Sequence, residues 1–162
     1  SGGIMSAVLA EQLPRIEWKP LGEKDLETVA AIESSVYVFP WTLGNFRDSL
    51  LSGYRCIGGW VQGELVCYAI VLTALDEAHL LNFAVSGQWQ RQGIGSRFLQ
   101  HLIDGARQEK REMLYLEVRP SNLQARRMYD RFGFREVGLR RDYYPAVTGR
   151  EDALFLALNL TE

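Results

Sequence analysis

Gln90-Arg91-Gln92-Gly93-Ile94-Gly95-Ser96 joins an apolar run that ends at Val85 to an amphipathic run that begins at Ile94. In the second run Ile94, Phe98, Leu99, Leu102, Ile103 and Ala106 recur at helical spacing, opposite Arg97, Gln100, Asp104 and Arg107. The stretch therefore reads as a glycine loop between a strand and a helix. Glycine lets the backbone come close to a ligand. The first amides of a helix lack internal partners, and the helix dipole adds positive potential there. A pyrophosphate suits such a loop, although Gly93 and Gly95 also serve a plain tight turn. Two phosphate motifs fail: Phe98 stands where a dinucleotide fingerprint needs its third glycine, and Ile94 stands where a Walker loop needs lysine.

Outward from the loop, the chain alternates between the two periods. Ile16 to Lys19 reads as a short strand, and Glu23 to Ser35 as a helix broken by Phe39-Pro40-Trp41. Thr42 is placed to cap a second helix that Gly53 ends. Arg55 to Val61 and Glu64 to Leu75 flank Gln62-Gly63, a hairpin turn, and Ala78 to Val85 is a third consecutive strand. After the long helix come a strand at Met113 to Val118, a helix at Leu123 to Arg131, and strands at Arg135 to Arg140 and Asp152 to Leu160. The order β-α-α-β-β-β-α-β-α-β-β gives an α/β sheet of mixed direction with a strand–helix–strand crossover in its middle.

The 162 residues suit one ordinary domain, and 47% apolar with 23% charged residues is a globular composition. The net charge is 18 basic minus 20 acidic residues, or −2, so no nucleic-acid partner is expected. No run reaches the roughly 18 apolar residues of a bilayer span, and no secretory signal is expected at the N-terminus. Ser1 to Ile4 reads as an expression scar, with Met5 as the natural start and residues 5–162 as the domain. Cys56, Cys67, His79 and His101 lack metal-ligand spacing, so the expectation is a metal-free protein of the reducing cytoplasm. Simple pairing across Gln62-Gly63 sets Cys67 opposite Gly58, in poor disulfide geometry with Cys56.

A second motif follows the glycine loop: Asn122-x-x-Ala125-x-x-x-Tyr129-x-x-x-Gly133-Phe134. With Gln90-x-x-Gly93-x-Gly95 and the order of elements, it resembles the GNAT N-acetyltransferases over roughly Ile16 to Leu160. Phe39-Pro40-Trp41, Leu116-Glu117-Val118-Arg119, Arg140-Arg141-x-Tyr143-Tyr144-Pro145 and Gly149-Arg150-Glu151-Asp152-Ala153 are similar to the RimI branch of that family. Val85-Ser86-Gly87 departs from it, since relatives often carry an acidic residue and then proline there. The resemblance implies a mostly antiparallel sheet flanked by helices, with a splayed central strand pair. It implies acetyl-CoA as cosubstrate, its pyrophosphate held by the amides of the loop Arg91, Gln92, Gly93, Ile94, Gly95 and Ser96. It also implies the N-terminal alanine of a small-subunit ribosomal protein as acceptor.

Transfer to an amine requires a base, a polarised thioester carbonyl and an acid for the leaving thiolate. Glu117 interrupts an apolar strand and by alternation shares a face with Met113 and Tyr115. Apolar neighbours raise a carboxyl pKa, whereas a solvated strand end does not. Tyr129, with a phenol pKa near ~10, suits the acid, and its helical stripe suits core packing equally. The resemblance assigns Glu117 as base and Tyr129 as proton donor. Asn122 is placed to cap the following helix, to bond pantetheine, or both. The backbone of Phe83, Ala84 and Val85 offers a strand edge to the pantetheine arm, and by resemblance an amide near Val85 polarises the thioester. Phe39, Trp41, Tyr143 and Tyr144 are candidates to line the acceptor groove.

Neither cysteine has a base near it in sequence, so direct transfer in a ternary complex is expected. Two other functions share these residues. One is GNAT chemistry on a protein lysine or a small amine; the other is an acyl-CoA-binding module without turnover.

Overall fold

Gln62 and Gly63 take φ of 49° and 82°, the paired left-handed conformations of a tight hairpin turn. They join β2 (Arg55–Val61) to β3 (Glu64–Ala74), and β1 (Glu17–Pro20) pairs antiparallel with β2. Then follow β4 (Glu77–Val85), β5 (Met113–Val118), β6 (Arg135–Pro145) and β7 (Arg150–Asn159). These strands make one sheet in the order β1-β2-β3-β4-β5-β7-β6. Every neighbouring pair is antiparallel except β4 and β5, which are parallel. The computed structural model describes residues 13–162, so the expectation of an expression scar and a start at Met5 falls outside the described residues.

Four α-helices stand among the described residues: α1 (Leu26–Val36), α2 (Leu43–Leu51), α3 (Ile94–Gln108) and α4 (Leu123–Arg131). The first predicted helix begins as a 3₁₀ turn at Glu23–Asp25, where Asp25 accepts the Gly22 amide at 2.8 Å. Thr42 caps α2 through the Asn45 amide at 3.1 Å, as its position predicts. β6 runs five residues beyond the Arg140 end read from sequence, through an irregular stretch between Arg140 and Tyr144.

Each sheet face carries its own core. On one, Ile94, Phe98, Leu99 and Ile103 of α3 pack against Leu114, Leu116 and Val118 of β5. On the other, Leu26 and Val29 of α1 and Phe46 of α2 pack against Tyr68 and Ile70 of β3. β3 is buried on both faces because helices cover both. Full burial of one such side chain contributes about 1.5–3 kcal/mol.

Two irregularities change what alternation alone gives. A bulge near Gly59 and Trp60 sets Cys67 opposite Gly59, which corrects the expected pairing with Gly58. Cys56 and Cys67 then belong to opposite cores, and a Cβ at Gly59 would lie 2.6 Å from the Cys67 sulfur. The second bulge inserts Leu81 between the pairs Ile70–Asn82 and Val71–Leu80. It turns Phe83 onto Phe98 of α3 at 5.2 Å, while Ala84 joins the core under α1.

Candidate active site

β4 and β5 pair only from Glu77–Met113 to Leu80–Leu116. Beyond those four pairs they separate, as the expected splay requires, and an open groove of ≈ 850 Å³ occupies the gap. Its walls include Phe83, Ala84 and Val85 of β4, Gly93, Gly95 and Ser96 at the start of α3, and Asn122 and Tyr129 around α4.

The glycine loop is an anion site in outline. Gly93 caps α3 with φ of 80°, a left-handed conformation that any Cβ would strain. No side chain caps α3, so its first amides keep their outward donors at the groove wall. Arg91 lines the groove as well. Gln92 instead bonds the Gln88 carbonyl at 3.1 Å, and the Ile94 side chain is fully buried under the sheet. The cradle thus rests on the α3 amides together with Gly93, Gly95 and Ser96, a donor set that fits a pyrophosphate.

Asn122 accepts the Ala125 amide at 3.3 Å and also faces the groove, so capping leaves its amide group free for a ligand. Tyr129 is 7% exposed and meets Phe134 edge-on at 5.4 Å. Burial pushes its phenol up to about 12, so it holds its proton through neutral pH. Core packing and a place at the groove wall therefore coincide in this one ring. Tyr37, which sequence reasoning passed over, also lines the groove and donates to the Phe83 carbonyl at 2.5 Å. The Val85 carbonyl accepts from Gln90 at 3.0 Å. The strand edge expected to meet pantetheine thus has two of its carbonyls already partnered.

Glu117 stands on the sheet face opposite α3, half-buried between the buried Leu116 and Val118. It is absent from the groove wall. Burial raises its carboxyl above the ordinary range; Arg140, the neighbouring Tyr144 hydroxyl and His79 pull it back. Arg119, two residues on along the chain, lines the groove and stacks on Tyr144 at 4.4 Å and on Phe39 at 5.3 Å. Phe39 and Tyr144 thus converge on Arg119. Tyr143 stays behind them, 5.0 Å from Tyr144 and under Arg140 at 4.6 Å. Trp41 does not join them. Its ring packs on Phe46 at 5.3 Å and its amide donates to Glu33 at 3.0 Å, because that position anchors the loop to the helical layer.

That anchor was also missed. Glu33 is 2% exposed and accepts from Tyr68 at 2.7 Å, from Asn82 at 3.2 and 3.3 Å, and from the Trp41 amide. Its sequence signal was a carboxylate on the apolar side of a helical period.

Neither cysteine is an acyl carrier by geometry: both are buried, and burial pushes the Cys67 thiol up to about 12. No group of three or more His, Cys, Asp or Glu among the described residues is placed to hold a metal ion. No helix among them is long and apolar enough to cross a membrane.

Residues 24–134 match the model of the acetyltransferase (GNAT) family. The chain is 39% identical over 137 residues to the ribosomal protein bS18-alanine N-acetyltransferase of Escherichia coli K12, across 85% of this chain and 93% of that protein. The crystal structure of the Escherichia coli ribosomal-protein-S18-alanine N-acetyltransferase superposes with a TM-score of 0.86 at 38% identity, over 90% of this chain and 94% of that one. yncA of Salmonella typhimurium, solved with its cofactor acetyl-CoA, shares the fold at a TM-score of 0.72 and 18% identity, over 90% of this chain and 94% of that one. With the glycine loop, the splayed strands and this extent of likeness in hand, the chain belongs to the GNAT acetyltransferase family, beside its ribosomal-protein-alanine branch.

Proposed function

We propose that this protein acetylates the N-terminal amine of an alanine that begins a small-subunit ribosomal protein, in the cytoplasm, with acetyl-CoA as cosubstrate. The observation that carries the chemistry is the splay of β4 from β5, which opens the groove between the amide end of α3 and the Tyr129 phenol. The acceptor follows from the likeness to the Escherichia coli enzyme, whose name states that substrate.

Acetyl-CoA supplies the acetyl group activated as a thioester. The first amides of α3 with Gly93, Gly95 and Ser96 hold its pyrophosphate, and Asn122 and the β4 edge align the pantetheine arm. Glu117, raised by burial, takes the proton of the attacking amine, directly or through a water. An α-amine of pKa roughly 7.7–8 gives up that proton more readily than a lysine near ~10.4. Tyr129 gives its proton to the departing sulfur, and an amide near Val85 polarises the carbonyl. Phe39 and Tyr144 guide the acceptor, with Trp41 and Tyr143 behind them. No cysteine takes part, and the transfer is direct.

The test is thiol release from acetyl-CoA with three acceptors: an alanine-started ribosomal peptide, the same peptide blocked at its N-terminus, and an internal-lysine peptide. Release with the free alanine alone supports the proposal. Release with lysine alone keeps the chemistry and overturns the acceptor. Coenzyme binding without release from any amine points to a binding module.

A further inference from the structure

Arg119, the stretch Tyr143-Tyr144-Pro145 and the stretch Arg150-Glu151-Asp152 lie apart in the sequence. The structure brings them together. Arg119 leaves the end of β5 with 26% of its side chain exposed. Its guanidinium donates to the Pro145 carbonyl at 2.7 Å and lies 3.7 Å from Glu151. Its flat faces meet Tyr144 at 4.4 Å and Phe39 at 5.3 Å. Glu151 in turn accepts the Ser121 amide at 2.8 Å.

Two walls are joined at this point. One is the segment between α1 and α2, which carries Phe39. The other is the β6–β7 hairpin, stiffened by Arg150 on the Asp142 and Tyr143 carbonyls at 2.7 and 2.8 Å and by Asp152 on the Asp142 amide at 2.9 Å. Each wall presents an exposed apolar side chain to the groove, Val38 at 74% and Val147 at 86% exposure. Apolar side chains so placed on facing walls fit a peptide passing between them.

We propose that Arg119 is a positioning residue that clasps these walls into an acceptor channel, so that it governs affinity for the acceptor peptide and not for acetyl-CoA. This rests on the reading of the site given under Proposed function. The Arg119 charge is paired with Glu151 at 3.7 Å and its Nη1 donates to the Pro145 carbonyl, both on the hairpin wall. Lysine does not replace it, because an ammonium has no planar, delocalised face to lie over the Tyr144 and Phe39 rings.

The experiment measures initial rates against each substrate in turn, with the wild type run first on the alanine-started peptide. Turnover there establishes the underlying reading; absence of turnover rejects that reading before any variant is judged. For Arg119→Lys we expect the acceptor KM to rise about tenfold while the acetyl-CoA KM stays within about twofold. Arg119→Lys combined with Phe39→Leu should cost less than the sum of the two changes, since both remove one contact. If Arg119→Lys fails to fold, Glu151→Gln is to raise the acceptor KM in the same direction. A rise in the acetyl-CoA KM alone overturns the proposal, as does a loss of melting temperature with both KM values unchanged.

Discussion

The Tyr144 hydroxyl of β6 lies beside the Glu117 carboxylate of β5, with β7 between their strands in the sheet. That proximity sets Glu117 beside the β6–β7 hairpin. It also draws the Glu117 carboxyl down, against the burial that raises it, and burial is the larger effect.

Glu117→Gln tests the base and carries a sign that can be checked twice. Removing a general base costs about 10²–10⁴ in turnover, and acetyl-CoA affinity should stay the same. In the wild type, the acid limb of kcat/KM should lie above the ordinary carboxylate range, because the folded pKa is raised. Glu117→Gln should abolish that limb and leave only the separate titration of the acceptor amine. Stability runs the other way. A raised folded pKa favours the fold below the unfolded pKa, and this is lost as pH rises through the folded value. Glu117→Gln should therefore melt no lower than the wild type at neutral pH and lose any advantage in acid.

Tyr129→Phe keeps the ring that meets Phe134 and removes only the hydroxyl. Turnover should fall about 10²-fold or more with little change in either KM. Normal turnover with a lowered melting temperature would assign the residue to packing alone.

Gly93→Ala puts a Cβ on a residue at φ of 80°, although no atom within 4 Å opposes it. The cost is conformational, roughly 1–2 kcal/mol, and falls on the loop that presents the α3 amides. Calorimetry should show weakened acetyl-CoA binding. Gly95 has an ordinary φ, and its added Cβ would meet Met128 and Val85 at 3.7 Å, so Gly95→Ala should fold normally.

Glu33→Ala removes the acceptor for Tyr68, Asn82 and the Trp41 amide together. Buried donors left unpaired cost about 1–3 kcal/mol each, so a loss of roughly 3 kcal/mol or more is expected in denaturant unfolding. Loss of the Trp41 anchor should also raise the acceptor KM, since Phe39 is on the same segment.

The regular parts of the molecule were readable because each obeys a single period. Met113–Val118 alternates strictly and its face assignment for Glu117 holds, while Leu123–Arg131 is bounded by Asn122 and Gly133. What stayed hidden depends on contacts between distant residues. The bulge at Leu81 leaves no signature in its own strand, because Leu80 and Leu81 are the same residue type, one buried and one exposed. Trp41 reads as a groove aromatic until Glu33, eight residues earlier, takes its amide. Tyr37 and Arg119 act through Phe83, Phe39 and Tyr144, none adjacent to them in the chain.

The most direct measurement gives the protein one alanine-started ribosomal peptide that also carries an internal lysine, with acetyl-CoA, and locates the acetyl group by fragment-ion mass spectrometry. The account predicts acetyl on the N-terminal alanine only, with the lysine left free. Acetyl on the lysine, or an unmodified peptide with acetyl-CoA still bound to the protein, would contradict it.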